Sequence, residues 1–309
     1  MKYVEFGSNS KKSSCVMLGT MRISQMSVDE VDTLIKSALE VGINSIDTAD
    51  IYGGGRCEEL IGEVLQRNPN LRDEIFLQTK CGIHRDGDFT YFDFSRDYIL
   101  KAVDESLARL KTDYLDSLLL HRPDALMNPD EIAEAFVELH DSGKVREFGV
   151  SNMNPMQIER LENVLQFRVV ANQLRLSCAF TPAIDAGFNV NMENSASIMH
   201  DGSIFEYCVM NDIIIQAWSV LQHGYFDGVF IGSEKFPELN SKLDEIAKNH
   251  GVSKTAIALA WILRYPARMQ VIIGTTKPDR VRDSATSADV ELSRREWYEI
   301  YISAGNKLP

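Results

Sequence analysis

Apolar positions along this chain fall into two alternating rhythms. Short unbroken apolar runs, the mark of strands buried on both faces, give way to stretches with apolar residues three and four apart, the mark of a helix with one buried face. The first run, residues 15–20, closes on Gly19. A helix follows it, with Ser27 as N-cap, Glu30 as capping-box partner, Val31, Leu34, Ile35, Ala38 and Leu39 on one face, and Gly42 just past its end. Further strands are predicted at 44–48, 75–80, 115–121, 145–151, about 168–173, about 213–219 and about 269–273. Between them lie helices: one near 57–67, one capped by Ser95 after a loop at 82–94, and two opened by Asn128-Pro129 and Asn154-Pro155 in N-cap and N1 order.

Alternation of this kind implies parallel strands joined by helical crossovers. Eight such units predict an α/β fold, a closed, parallel, eight-stranded (β/α)8 TIM barrel, as a single domain over 1–309. No linker or composition shift divides the halves. Two connections, 174–201 after strand six and 220–235 after strand seven, are too long for simple turns and sit where barrels build active sites. An extra helix near 293–304 follows the eighth unit.

Strand ends locate the candidate chemistry. Asp47, Lys80 and His121 fall at the C-terminal ends of strands two, three and four, and Tyr52 follows strand two at the head of the Gly53-Gly54-Gly55 loop. Taken singly, each suits an ordinary structural role. In a barrel, though, these ends converge on one face. Lys80 terminates an apolar strand, so its ammonium needs a carboxylate, and Asp47 is the neighbour. A cation beside Tyr52 is expected to lower the phenol's pKa from ~10 by ~1–3. Tyr52 could then protonate a carbonyl oxygen as hydride reaches the carbon, with His121 at hydrogen-bond distance to orient the carbonyl. No activated Ser, Cys or Lys nucleophile stands out.

Composition narrows the partners. The formal net charge of −13, with no basic stripe, disfavours nucleic acid. No apolar run approaches the ~18 residues that span a bilayer, and no secretory signal is visible. The five cysteines are odd in number and contain no Cys-x-x-Cys pair, which fits a reducing cytoplasm and argues against disulfides and zinc. The six histidines show no metal-ligand spacing.

Hydride needs a donor. No Gly-x-Gly-x-x-Gly opens a helix after a strand, so the usual dinucleotide-binding fold is absent. The segment 271–280 offers another phosphate site: a strand ends at Gly274, Thr275, Thr276 and Lys277 follow, and a helix begins at Pro278 with Arg280 in its first turn. An ordinary strand-to-helix turn would read the same way.

Together these residues resemble the aldo-keto reductase family, in a bacterial branch of poorly defined substrate. The resemblance spans Leu18-Gly19-Thr20-Met21, the stretch from Ile46 to Gly53, Thr79-Lys80, the stretch from Leu119 to Asp124, the stretch from Phe148 to Asn152, Asn172-Gln173, and Ile273-Gly274-Thr275-Thr276. It implies NADPH-dependent reduction of a small-molecule aldehyde or ketone by a tetrad of Asp47, Tyr52, Lys80 and His121, with Tyr52 as general acid. It implies that Ser151, Asn152 and Gln173 hold the nicotinamide carboxamide and that Trp218 stacks on the ring. Ser219, Val220 and Leu221 would line the pyrophosphate path, and Gly19, Thr20, Met21 and Asp47 would also meet the cofactor. Gly274, Thr275, Thr276, Lys277 and Arg280 would bind the adenosine phosphate end, and Asp283 and Ser284 would face the adenine. Two cations there favour NADPH over NADH. The rival reading is an NADPH-binding regulatory or redox-sensing barrel with little turnover. Oligomeric state is left open. Phe180, Phe188, Met192, Met199 and Phe226 are candidates for an apolar wall at the pocket.

Overall fold

Apolar runs that form strands here are short because each only has to cross a barrel wall. In the computed structural model, which describes residues 1–7, 11–86, 89–188, 203–223 and 227–306, eight such strands close a parallel barrel in sequence order. They are β1 (Val16–Gly19), β2 (Ser45–Asp47), β3 (Phe76–Cys81), β4 (Leu115–Leu120), β5 (Val145–Ser151), β6 (Ala171–Arg175), β7 (Ile214–Trp218) and β8 (Met269–Ile273). The barrel closes where β8 pairs with β1, Ile273 opposite Leu18. β6 lies at 171–175 rather than 168–173, because Val169 and Val170 come before the ladder that Asn172 and Gln173 make with Val150 and Ser151.

The helices form where their caps and stripes put them. Ser27 and Glu30 make a reciprocal capping box on the helix Val28–Glu40, and Asn154 and Gln157 do the same on Pro155–Glu162. Asn128 caps Pro129–Asp141 through the Asp130 N–H. Ser95 precedes the helix Arg96–Leu110, but its side chain makes no cap bond. Two helices, Pro237–His250 and Lys254–Leu263, separate β7 from β8, and Arg294–Ser303 is the extra helix at the end. The loop expected at 82–94 contains an antiparallel hairpin, Ile83–Asp86 with Phe89–Phe92. Part of 220–235 is likewise a short hairpin, Gln222 opposite Val229. No helix among the described residues is long and apolar enough to cross a membrane.

The barrel interior is layered. An N-terminal hairpin, Tyr3–Phe6 with Lys11–Ser14, lies at its base, and Phe6 packs on Phe76 with ring centroids 4.7 Å apart. Above this apolar floor lie buried glutamines: Gln216 exchanges hydrogen bonds with Gln78 at 2.8 and 2.9 Å and donates to Gln270 at 2.9 Å. Every amide in such a layer needs a partner, because an unpaired one would keep its full desolvation penalty. The top of the layer meets Asp47, which accepts from Gln78 at 2.7 Å.

Candidate active site

At the C-terminal rim the polar layer becomes charged. Lys80, 0% exposed at the end of β3, places its ammonium 2.8 Å from each carboxylate oxygen of Asp47 and donates to the Thr48 carbonyl at 2.6 Å. Gln78 and Gln173 donate to the same carboxylate. A buried pair is tolerated when its remaining hydrogen-bonding capacity is filled, as here. Lys80 also donates to the Tyr52 hydroxyl at 3.3 Å. Burial opposes the ammonium's charge, but Asp47 and Tyr52 outweigh it and hold the Lys80 pKa above its ordinary value.

Tyr52 is aimed by the turn beneath it. Gly53 and Gly54 have φ of 60° and 65°, a left-handed conformation that costs an L side chain energy, so glycine is what lets the chain reverse directly after the phenol. A Cβ on Gly53 would also lie 2.6 Å from Ser24 Cβ. The expected lowering of the Tyr52 pKa does not occur: burial raises it, and the Lys80 charge offsets only part of that rise. The phenol therefore stays protonated at neutral pH, which suits an acid that gives its proton only when a reaction demands it.

His121 follows β4, with its ring edge toward Tyr52 and centroids 5.8 Å apart. Burial, then the charges of Lys80 and Arg122, push its pKa well down, so the imidazole is neutral. Its Nδ1 is buried without a partner among the described residues, rather than bonded within the tetrad.

These groups border a cavity of about 1110 Å3. Asp47, Tyr52 and His121 line it, while Lys80 stands behind Tyr52. Its walls include Gly19, Thr20, Met21, Ser151, Asn152, Gln173, Trp218, Ser219, Val220, Leu221, Gly274, Thr275, Arg280, Asp283 and Ser284. Thr276 and Lys277 are not on the wall; Lys277 is exposed at the N-cap position of the helix Pro278–Ala285, where its side chain makes no cap bond. The sequence reading also missed Arg22, Arg85 and Arg122. The signal for Arg122 was available, since it directly follows His121. Arg85 became relevant only when the hairpin folded over the mouth. Phe180 lines a neighbouring pocket, no side chain is described for Phe188, and Met192, Met199 and Phe226 lie outside the described residues.

Part of the wall is held under strain. Asn152 and Ser219, just past β5 and β7, have φ of 55° and 54°. Non-glycine residues of this kind cost of order 1 kcal/mol and gather at functional sites. Trp218 Nε1 donates to Asn152 Oδ1 at 3.3 Å, Asn152 donates to Ser151 at 2.8 Å, and Ser219 donates to Gln222 at 2.9 Å. One polar edge and one indole are thereby fixed side by side.

A family model described as the Aldo/keto reductase family matches residues 16–303. The chain belongs to the aldo/keto reductase family. Among its reductase relatives, oxidoreductase YdhF of Escherichia coli (strain K12) is 34% identical over 284 residues, covering 90% of this chain and 89% of YdhF. A 6-dehydroglucose reductase of Agrobacterium fabrum (strain C58 / ATCC 33970) is 33% identical over 304 residues, covering 95% of each chain. An aldo-keto reductase from Klebsiella pneumoniae, solved in complex with NADPH, superposes with a TM-score of 0.76 at 22% identity over 97% of this chain and 93% of that one, a likeness in fold.

Proposed function

We propose that this aldo/keto reductase uses NADPH to reduce an aldehyde or ketone to an alcohol, with Tyr52 as the proton donor. The observation that carries the reading is a protonated phenol on a cavity wall, 3.3 Å from a buried ammonium. The residues present fit the cofactor. Asn152, Ser151 and Gln173 offer amide and hydroxyl groups beside Trp218, a flat ring suited to an aromatic partner. Arg280 sits at the start of the helix Pro278–Ala285, where the N-terminal dipole and a cation favour phosphate. The NADPH complex of the Klebsiella pneumoniae relative supports the same assignment.

NADPH supplies the hydride. Tyr52 gives the proton on its hydroxyl oxygen to the carbonyl oxygen, and Lys80 stabilises the phenolate that this leaves. Asp47 keeps Lys80 charged and in place. Neutral His121 orients the carbonyl and, carrying no imidazolium proton, does not rival Tyr52 as the proton donor. Arg280 favours NADPH over NADH through the extra phosphate. All five cysteines are unpaired, which supports a reducing compartment, the cytoplasm.

Tyr52→Phe tests the proton donor. It removes one oxygen, and NADPH oxidation with a reactive aromatic aldehyde is expected to fall at least ~100-fold, the scale of general acid catalysis, while NADPH still binds by fluorescence titration. Full activity in the variant would remove Tyr52 from the role.

A further inference from the structure

The main cavity has the opposite charge to the protein around it. The chain carries −13, and its arginines are mostly engaged: Arg67 with Asp29, Arg72 with Asp116, Arg109 with Glu58. Arg22, Arg85, Arg122 and Arg280 line the cavity with no carboxylate partner among the described residues. The two aspartates on the wall are occupied, Asp47 by Lys80 and Asp283 by the Ser253 hydroxyl at 2.8 Å.

The four arginines divide by strand. Arg22 and Arg280 follow β1 and β8, neighbours in the barrel, on the side of Thr275 and Ser284 where the cofactor's phosphates are proposed to lie. Arg85 and Arg122 follow β3 and β4, and Arg122 lies near enough to Tyr52 and His121 for its charge to act on both. Arg122 is half-buried, and its guanidinium lies 5.3 Å from the centre of the Trp218 ring, a cation–π contact that positions it without neutralising it. It borders both the main cavity and a second one of about 340 Å3, whose other walls include Leu174, Phe180, Pro182, Ala183 and Ile204. A half-buried guanidinium without an anion retains a desolvation cost that an incoming carboxylate would relieve, with two parallel N–H donors matched to two oxygens.

We propose that the carbonyl substrate carries a carboxylate and that Arg122 receives it, with Arg85 drawing it in at the cavity mouth. The carbonyl end then faces Tyr52 and His121, and an apolar body occupies the wall shared with the second cavity. Arg122 is thus the residue that selects acids among aldehydes and ketones. This deepens the reductase reading and rests on it.

The test compares 4-carboxybenzaldehyde with uncharged 4-nitrobenzaldehyde, following NADPH oxidation by the wild type, Arg122→Gln, Arg122→Lys and Arg85→Gln. The quantity read is the ratio of kcat/KM for the two aldehydes, which cancels a general loss of activity. The wild type is expected to favour the carboxylate, and Arg122→Gln to lower the ratio roughly ten- to a hundredfold, the worth of a charged hydrogen bond. Arg122→Lys should recover part of the ratio, and Arg85→Gln should lower it less and reduce its dependence on salt. A wild-type preference for the uncharged aldehyde, or a ratio unmoved in Arg122→Gln, overturns the proposal while leaving the reductase reading intact. If neither aldehyde oxidises NADPH in the wild type, the reductase reading fails and the proposal fails with it.

Discussion

Lys80 shows how much one buried charge can govern. Replacing it with Met removes the cation that faces both Asp47 and Tyr52 and leaves the Asp47 carboxylate buried with only amide partners. Breaking a buried pair from one side destabilises by about 3–5 kcal/mol, so Lys80→Met should unfold at lower urea as well as lose turnover. Asp50, two residues before Tyr52, gives a pH test. Burial, then the charge of Glu58, raises its pKa from 3.8 to about 7, and its Oδ1 has no partner among the described residues. A carboxyl with a raised folded-state pKa contributes fully below its unfolded value, and that contribution is lost as pH rises through the folded one. Relative to Asp50→Asn, the wild type should therefore lose of order 3 kcal/mol between pH 3.8 and about 7, visible in paired denaturation curves across that window.

Among the elements, the helix Arg56–Arg67 is the one whose packing contradicts local propensity. Gly62 sits in its middle, where Ala would ordinarily gain about 0.5–1 kcal/mol. A Cβ at Gly62, however, would lie 2.0 Å from the Arg109 carbonyl oxygen, because this helix and Arg96–Leu110 approach backbone to backbone there. Gly62→Ala should destabilise by about 1–3 kcal/mol despite its better propensity, with calorimetry giving the sign. The hairpin Ile83–Asp86 with Phe89–Phe92 makes the complementary point. Its sequence mixes polar and apolar residues that read as loop, and its base is joined by the Asp93 N–H, which donates to the Gly82 carbonyl at 3.1 Å.

For the whole molecule, closure is what counts. β8 is needed by β1 and β7 alike, since both pair with it. A chain ending at Arg264 would keep seven strands and most helices but leave two open edges and the polar interior exposed. It is expected to aggregate or remain unfolded, where the 309-residue chain gives a cooperative transition by circular dichroism.

Local physics made much of this protein legible in the sequence. Capping residues at Ser27, Asn128 and Asn154 marked where helices start, since a cap is a contact between near neighbours. The expectation for β5, Val145 to Ser151, matches the structure at both ends, and that for β8, about 269–273, matches closely. Asp47, Lys80 and His121 were found as polar groups closing apolar strands, an anomaly that needs no coordinates. Tertiary structure alone decided the rest. Burial, a property of everything surrounding a side chain, outweighed the Lys80 charge and kept the Tyr52 proton on. The glutamine layer joins strands far apart in sequence, so no window of residues contains it. The paths of their loops set exposed Lys277 away from the cavity and exposed Arg85 at its edge. The positive cavity in an acidic chain likewise exists only where folding gathers scattered arginines and leaves their counter-charges elsewhere.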